Sequence, residues 1–122
     1  MWIYSQTTGN LTAPDGSLAG TGYSGNGVAL NDPGSQSIKG HGPIPQGMYG
    51  IGVFYDDPEK GPLVCRLAPH PDNVMFGRDG FMIHGDNAAA NHTASDGCIV
   101  LSHAVRELIA DEDEDLDLQV TS

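Results

Sequence analysis

The run Lys39-Gly40-His41-Gly42-Pro43-Ile44-Pro45-Gln46-Gly47, leading into Met48-Tyr49-Gly50-Ile51-Gly52-Val53, sets the character of the fold. Its prolines fix φ and cannot donate to a sheet ladder, whereas the residues that follow have strand composition. A rigid turn feeding a strand is the expected local structure. Outward from it, short apolar pieces recur between clusters of Gly, Pro, Asn and Asp: Trp2 to Tyr4, Met48 to Tyr55, Leu63 to Leu67, Phe81 to His84, Cys98 to Leu101 and Leu116 to Val120. That is the punctuation of an all-β domain. The glycine-rich stretch Ala19 to Asn31 is expected to be a shaped loop. One helix is predicted after Cys98, capped by Ser102 and burying Val105, Leu108 and Ile109 at helical spacing.

Length and composition narrow the possibilities. A chain of 122 residues is one domain's worth, so residues 1–122 are read as a single domain. Seventeen glycines and eight prolines argue against a helical bundle, and 39% hydrophobic with 17% charged residues excludes wholesale disorder. A formal charge of -11 offers no basic footprint for nucleic acid. No apolar run approaches the roughly 20 residues a membrane span needs. The opening Met1-Trp2-Ile3-Tyr4 lacks the basic start and apolar stretch of a secretory signal peptide, so the expectation is synthesis in the cytoplasm and delivery by other machinery. The acidic run Asp111-Glu112-Asp113-Glu114-Asp115 should end the helix and stay in water.

The chemistry concentrates in Gly80-Phe81-Met82-Ile83-His84-Gly85-Asp86 and Ala94-Ser95-Asp96-Gly97-Cys98-Ile99. A strand ends at a histidine and another begins at a cysteine. A thiol with an ordinary pKa of about 8.5 is mostly protonated at neutral pH and needs a base, which an adjacent imidazole supplies. Gly97 lets the chain turn tightly and offers its backbone N–H to a developing oxyanion, while Gly85 leaves space beside His84. Ser95 and Asp96 are read as turn residues shaping this loop and, with Arg78 and Tyr23, as its substrate-binding side. The Arg78 fork suits a carboxylate, with a structural ion pair as the alternative. Cys65, alternating within Leu63 to Leu67, is assigned to packing and not to a disulfide with Cys98. His84, Asp86 and His92 with Cys98 or His103 are conceivable metal ligands, but their spacing matches no compact metal motif, so neither metal nor other cofactor is expected.

The motif His84-Gly85, thirteen intervening residues, then Ser95-Asp96-Gly97-Cys98-Ile99 resembles the His-Gly…Ser-His-Gly-Cys-Ile signature of L,D-transpeptidases. The wider pattern, Gly40, Gly42-Pro43-Ile44-Pro45-Gln46-Gly47-Met48-Tyr49, Arg66-Leu67, Asn73 and Gly77-Arg78 with Gly80-Phe81, resembles the compact branch containing toxins delivered by type VI secretion systems. The resemblance extends from Tyr4-Ser5-Gln6 and Tyr23-Ser24-Gly25 to the terminal strand. Two positions depart from the pattern. Asp96 stands where a second histidine is usual and Val100 where many members have arginine, so those two roles do not transfer.

The resemblance implies a mainly β, L,D-transpeptidase-like sandwich or barrel with long Gly/Pro-rich loops and one short helix after Cys98. It also implies an acyl-enzyme on Cys98 with His84 as base, acting on peptidoglycan tetrapeptide stems. Water as acceptor makes an L,D-carboxypeptidase, and an amine makes a transpeptidase or D-amino-acid exchanger. An effector of this kind implies an immunity protein, a secretion-system component and delivery to the periplasm of a target bacterium. The alternative is a noncatalytic cell-wall-binding module, of a phage or secretion particle, on the same scaffold.

Overall fold

In a computed structural model of the chain, which describes every residue except Ala90 and Asp113, the sheet is organised around its last strand. Strand β1 (Trp2–Ser5) runs parallel to β10 (Asp117–Thr121), pairing Trp2 with Leu118 and Tyr4 with Val120. Alternation decides which way each side chain points: Trp2, Tyr4, Leu118 and Val120 go into the core, while Ile3 faces solvent. The other side of β10 pairs antiparallel with β5 (Gly47–Ile51), the strand that leaves the Pro43-Ile44-Pro45 turn.

From β5 the sheet continues through β7 (Gly61–Pro69), β8 (Met82–His84), β9 (Ile99–Val100) and β4 (Tyr23–Ser24). From β1 it continues through β2 (Asn10–Thr12) to β3 (Leu18–Thr21). The two outermost strands, β3 and β4, are neighbours in the chain with only Gly22 between them, so the sheet curls until its edges meet as a nearly closed barrel. A Cβ on Gly22 would lie 1.9 Å from the Val100 carbonyl oxygen, and only glycine fits that junction. Tyr4, Leu11, Ile44, Tyr49, Ile83 and Ile99 fill the interior. Each contributes about 1.5–3 kcal/mol through the apolar surface it removes from water.

The fold is mainly β with one helix, as the sequence leads one to expect. Helix α1 (His103–Asp111) starts where Ser102 Oγ accepts the Val105 N–H, and it buries Val105 and Ile109. Leu108 does not join them. It is 53% exposed, and the side chain buried in its stead is Arg106. The Ala19 to Asn31 stretch is also more regular than its composition suggests, because it contains β3, β4 and a 3₁₀ turn at Gly27–Ala29. Glycine there serves close strand approach. The apolar run Met48 to Tyr55 is two strands, with the chain breaking after Ile51 and returning along β7 as β6 (Tyr55–Asp57). Of the acidic run, Asp111 ends the helix, Glu112 caps it, and Asp113 lies outside the described residues. No helix among the described residues is long and apolar enough to cross a membrane.

Candidate active site

Strands β8 and β9 run parallel, with Ile83 opposite Ile99 and His84 opposite Val100. Ile83 and Ile99 belong to the core, so the alternation puts His84 on the opposite face, and the same count carries Cys98 to that face beside Met82. The thirteen residues between the two motif positions are thus the connection that brings a strand end and a strand start together.

His84 is 3% exposed. Its Nδ1 lies 2.7 Å from the Gly85 carbonyl oxygen, and because that oxygen only accepts, Nδ1 carries the proton. The basic lone pair is therefore on Nε2, which has no hydrogen-bond partner among the described residues. Burial holds the imidazole below its ordinary pKa, helped by the charges of Lys60 and Arg106. Cys98 is half-buried, with Sγ 4.0 Å from the Gly80 carbonyl oxygen. Burial pushes its thiol up, against the pull of the Met82 N–H and of Lys60 and Arg78, while Asp96 pushes it further up. Both groups thus rest in their neutral forms, a proton donor and a proton acceptor on one face.

The Cys98 loop is fixed by hydroxyls and one guanidinium. Ser95 Oγ accepts the N–H groups of Gly25 (2.9 Å) and Gly97 (3.0 Å) and donates to the Cys98 carbonyl oxygen (2.6 Å). Ser24 Oγ donates to the Gly97 carbonyl oxygen and accepts the Ile44 N–H, both at 2.8 Å. Asn26 Nδ2 donates to the carbonyls of Ser95 and Gly40. Arg78, 5% exposed, places NH1 on the carbonyls of Gln36 and Pro43 and NH2 on those of Gly42 and Asp96. Its guanidinium also stacks 5.1 Å from the Phe81 ring centroid.

These contacts correct several expectations. The Gly97 N–H is spent on Ser95 Oγ and is not free to meet an oxyanion. What glycine supplies there is room at φ +135°, since a Cβ would lie 2.5 Å from Arg78 NH2 and 2.8 Å from Phe81. Ser95 is fully buried, which makes it a loop brace and not a substrate contact. Among the described residues Arg78 is neither a free carboxylate fork nor half of an ion pair, because its terminal nitrogens are committed to four carbonyls. The space beside Gly85 is occupied by Arg106, whose NH2 would stand 2.6 Å from a Cβ at that position.

Tyr23 is buried, with its hydroxyl donating to Asp86 Oδ1 (2.7 Å) and accepting the Ala94 N–H (3.1 Å). Burial pushes that phenol up to about 12. It pins the two arms of the connection between His84 and Cys98. Asp96 alone of the four substrate-side residues has an exposed side chain, at a hollow of about 200 Å³ shared with Lys39 and Phe81. A larger cleft of about 640 Å³ opens beyond Tyr23 and Asp86, with Arg106 and His103 in its wall. Cys65 is buried and free, its thiol pushed up to about 12 by desolvation. Among the described residues no three His, Cys, Asp or Glu side chains are grouped to hold a metal ion, and His84, Asp86 and His92 do not converge.

Sequence reasoning did not single out Ser24, Asn26 or Arg106 as parts of the site. Ser24 and Asn26 lie in the stretch taken for loop, and Arg106 is masked by its place in an amphipathic helix. No curated protein matches the chain. The family model of the Tlde1 domain matches residues 19–119, a span that takes in the β4 segment, the Arg78 brace, His84 and the Cys98 loop. With most of its length inside that match, the chain belongs to the Tlde1 domain family of type VI, L,D-transpeptidase-like effectors.

Proposed function

We propose that the protein is a thiol-dependent L,D-carboxypeptidase or L,D-transpeptidase of peptidoglycan tetrapeptide stems, and an antibacterial effector. The observation that carries this reading is the His84 side chain, held by Nδ1 on Gly85 with Nε2 unpartnered on the face that bears Cys98. Nε2 takes the Cys98 proton as Sγ attacks the amide carbonyl on the carboxyl side of the L-centre of the diamino acid. The C–N bond breaks, the same proton passes to the departing D-alanine amine, and the stem remains as a thioester on Cys98. Water or an amine then cleaves the thioester. With Gly97 N–H engaged by Ser95, the Cys98 N–H is the backbone donor assigned to the oxyanion in this reading.

Because the base works as neutral imidazole and burial lowers the His84 pKa, the active form persists to lower pH than for a solvated histidine. The acid limb of kcat/KM should therefore fall below 6.5, the ordinary histidine value. Burial of the Cys98 thiol moves the alkaline limb the other way, above the ordinary thiol range. An acid limb above 6.5 in a pH–rate profile would count against His84 as the base.

The reaction itself is tested by mass analysis of peptidoglycan fragments after incubation with the protein. Stems shortened by one D-alanine, exchanged at that position, or joined as new cross-links each support the proposal and identify the acceptor. Unchanged fragments overturn it. We further propose that the substrate is met in the periplasm of a target cell. Expression in a bacterial cytoplasm should be harmless, and the same chain behind a periplasmic signal should cause swelling or lysis that Cys98→Ala abolishes. Lysis by a folded Cys98→Ala protein would instead favour a wall-binding role.

A further inference from the structure

The chain has five Lys and Arg residues against sixteen Asp and Glu, so the place of each cation carries information. Arg78 and Arg106 are buried and hold backbone carbonyls. Lys39 shares its hollow with Asp79 and Asp96, and Arg66 stands beside Tyr55 and Asp57. Lys60 is exposed at the β6–β7 turn, and no ion pair engages it among the described residues.

Its position is set by the β6–β7 hairpin. Asp57 Oδ1 accepts the N–H groups of Glu59 (2.9 Å) and Lys60 (3.0 Å), and Asp56 Oδ1 accepts that of Leu63 (3.1 Å). Two of the three neighbouring carboxylates, Asp56 and Asp57, thereby shape the turn, while Glu59 is exposed beside Lys60. Arg106 NH1 donates to the carbonyls of Pro62 (2.8 Å) and Leu63 (2.9 Å), tying the hairpin to α1. In the antiparallel β7–β8 ladder Cys65 lies opposite Ile83, so counting back brings Leu63 level with Gly85 and sets the Lys60 turn just past the strand end that carries His84. The Lys60 charge acts at both centres, drawing the Cys98 thiol down and disfavouring the imidazolium of His84. Among the described residues no other side-chain charge acts on both groups.

We propose that Lys60 is a specificity residue that receives the free C-terminal carboxylate of a peptide whose last amide is presented to Cys98. This rests on the peptide-stem reading above. In a C-terminal amino acid the carboxylate is one carbon from the amide nitrogen, so a cation on the hairpin that borders the strand end carrying His84 is placed for it. A chain of formal charge -11 repels an anionic peptide end at long range, and a local unpaired ammonium offsets that repulsion where the amide must dock. The carboxylate leaves with D-alanine, so the contact favours chain ends over internal amides and shows in KM more than in kcat.

The test compares a tetrapeptide stem as free acid and as C-terminal amide, with the wild-type protein, Lys60→Gln and Lys60→Arg. Wild type should prefer the acid by about three- to tenfold in kcat/KM, mainly through KM. Lys60→Gln should lose that preference and Lys60→Arg should keep it. A preference unchanged in Lys60→Gln overturns the proposal. An independent arm needs no turnover: the rate of Cys98 alkylation by iodoacetate relative to neutral iodoacetamide. That ratio should fall severalfold in Lys60→Gln, and salt should lower it in the wild type. An identical ratio in both proteins overturns the proposal. If neither peptide is cleaved by wild type, the stem reading fails, and the alkylation ratio still decides whether Lys60 draws a carboxylate to Cys98.

Discussion

Cys98→Ala and His84→Ala should each lower peptide turnover by about 10³-fold or more, and the double variant should be little worse than either single one. The non-additivity follows from the geometry. Nε2 of His84 has no hydrogen-bond partner among the described residues, and the β8–β9 register puts it on the face that bears Cys98. Stability should respond unequally. Cys98 is half-buried and its sulfur makes a long, 4.0 Å contact to the Gly80 carbonyl, so Cys98→Ala should unfold within about 1 kcal/mol of wild type. His84→Ala opens a buried space and strands the Gly85 carbonyl, for a cost of about 1–3 kcal/mol. Denaturant curves alongside turnover separate the two effects. A folded Cys98→Ala protein with near-normal turnover would end the thiol mechanism.

The second large effect is expected away from the reacting atoms. Arg78→Met keeps much of the side-chain volume but leaves the carbonyls of Gln36, Gly42, Pro43 and Asp96 without their donors. Stranding acceptors that a charged group had satisfied should cost about 3–5 kcal/mol in a denaturant titration. Turnover should fall by about 100-fold even under conditions where the variant is folded, since Asp96 and Gly97 position Cys98 and both touch Arg78. Arg78→Lys retains the charge but not the fork and should recover only part of either loss. Wild-type stability in Arg78→Met would show that the four bonds are replaced by water.

The contrast between what the sequence discloses and what it conceals follows the range of the interactions. Alternation and turn residues are local, so β1, β7, β8 and β10, the helix cap at Ser102 and the break at Pro43-Ile44-Pro45 are all legible. The places of His84 at the end of β8 and of Cys98 just before β9 are legible because both lie in one motif. Donors and acceptors from distant segments are not. Nothing near Gly97 announces that its carbonyl belongs to Ser24, 73 residues away. Arg78 looks like a free cation until Gln36, Gly42 and Pro43 are folded around it. Leu108 shows the limit of periodicity itself, since Arg106 takes the buried place that helical spacing gives to an apolar side chain.

The position of β10 between β1 and β5 has a kinetic consequence. Until residues 117–121 are available, the first strand has no parallel neighbour and the halves of the sheet are not joined, so early segments must wait for a late one. Such non-local pairing makes for slow folding, with exposed edges in the interim. During synthesis the Cys98 loop emerges before β10, when its own neighbours β8 and β4 are already made. A stalled chain ending before Asp117 should therefore lack the junction between β1 and β5 and leave both of those strand edges open.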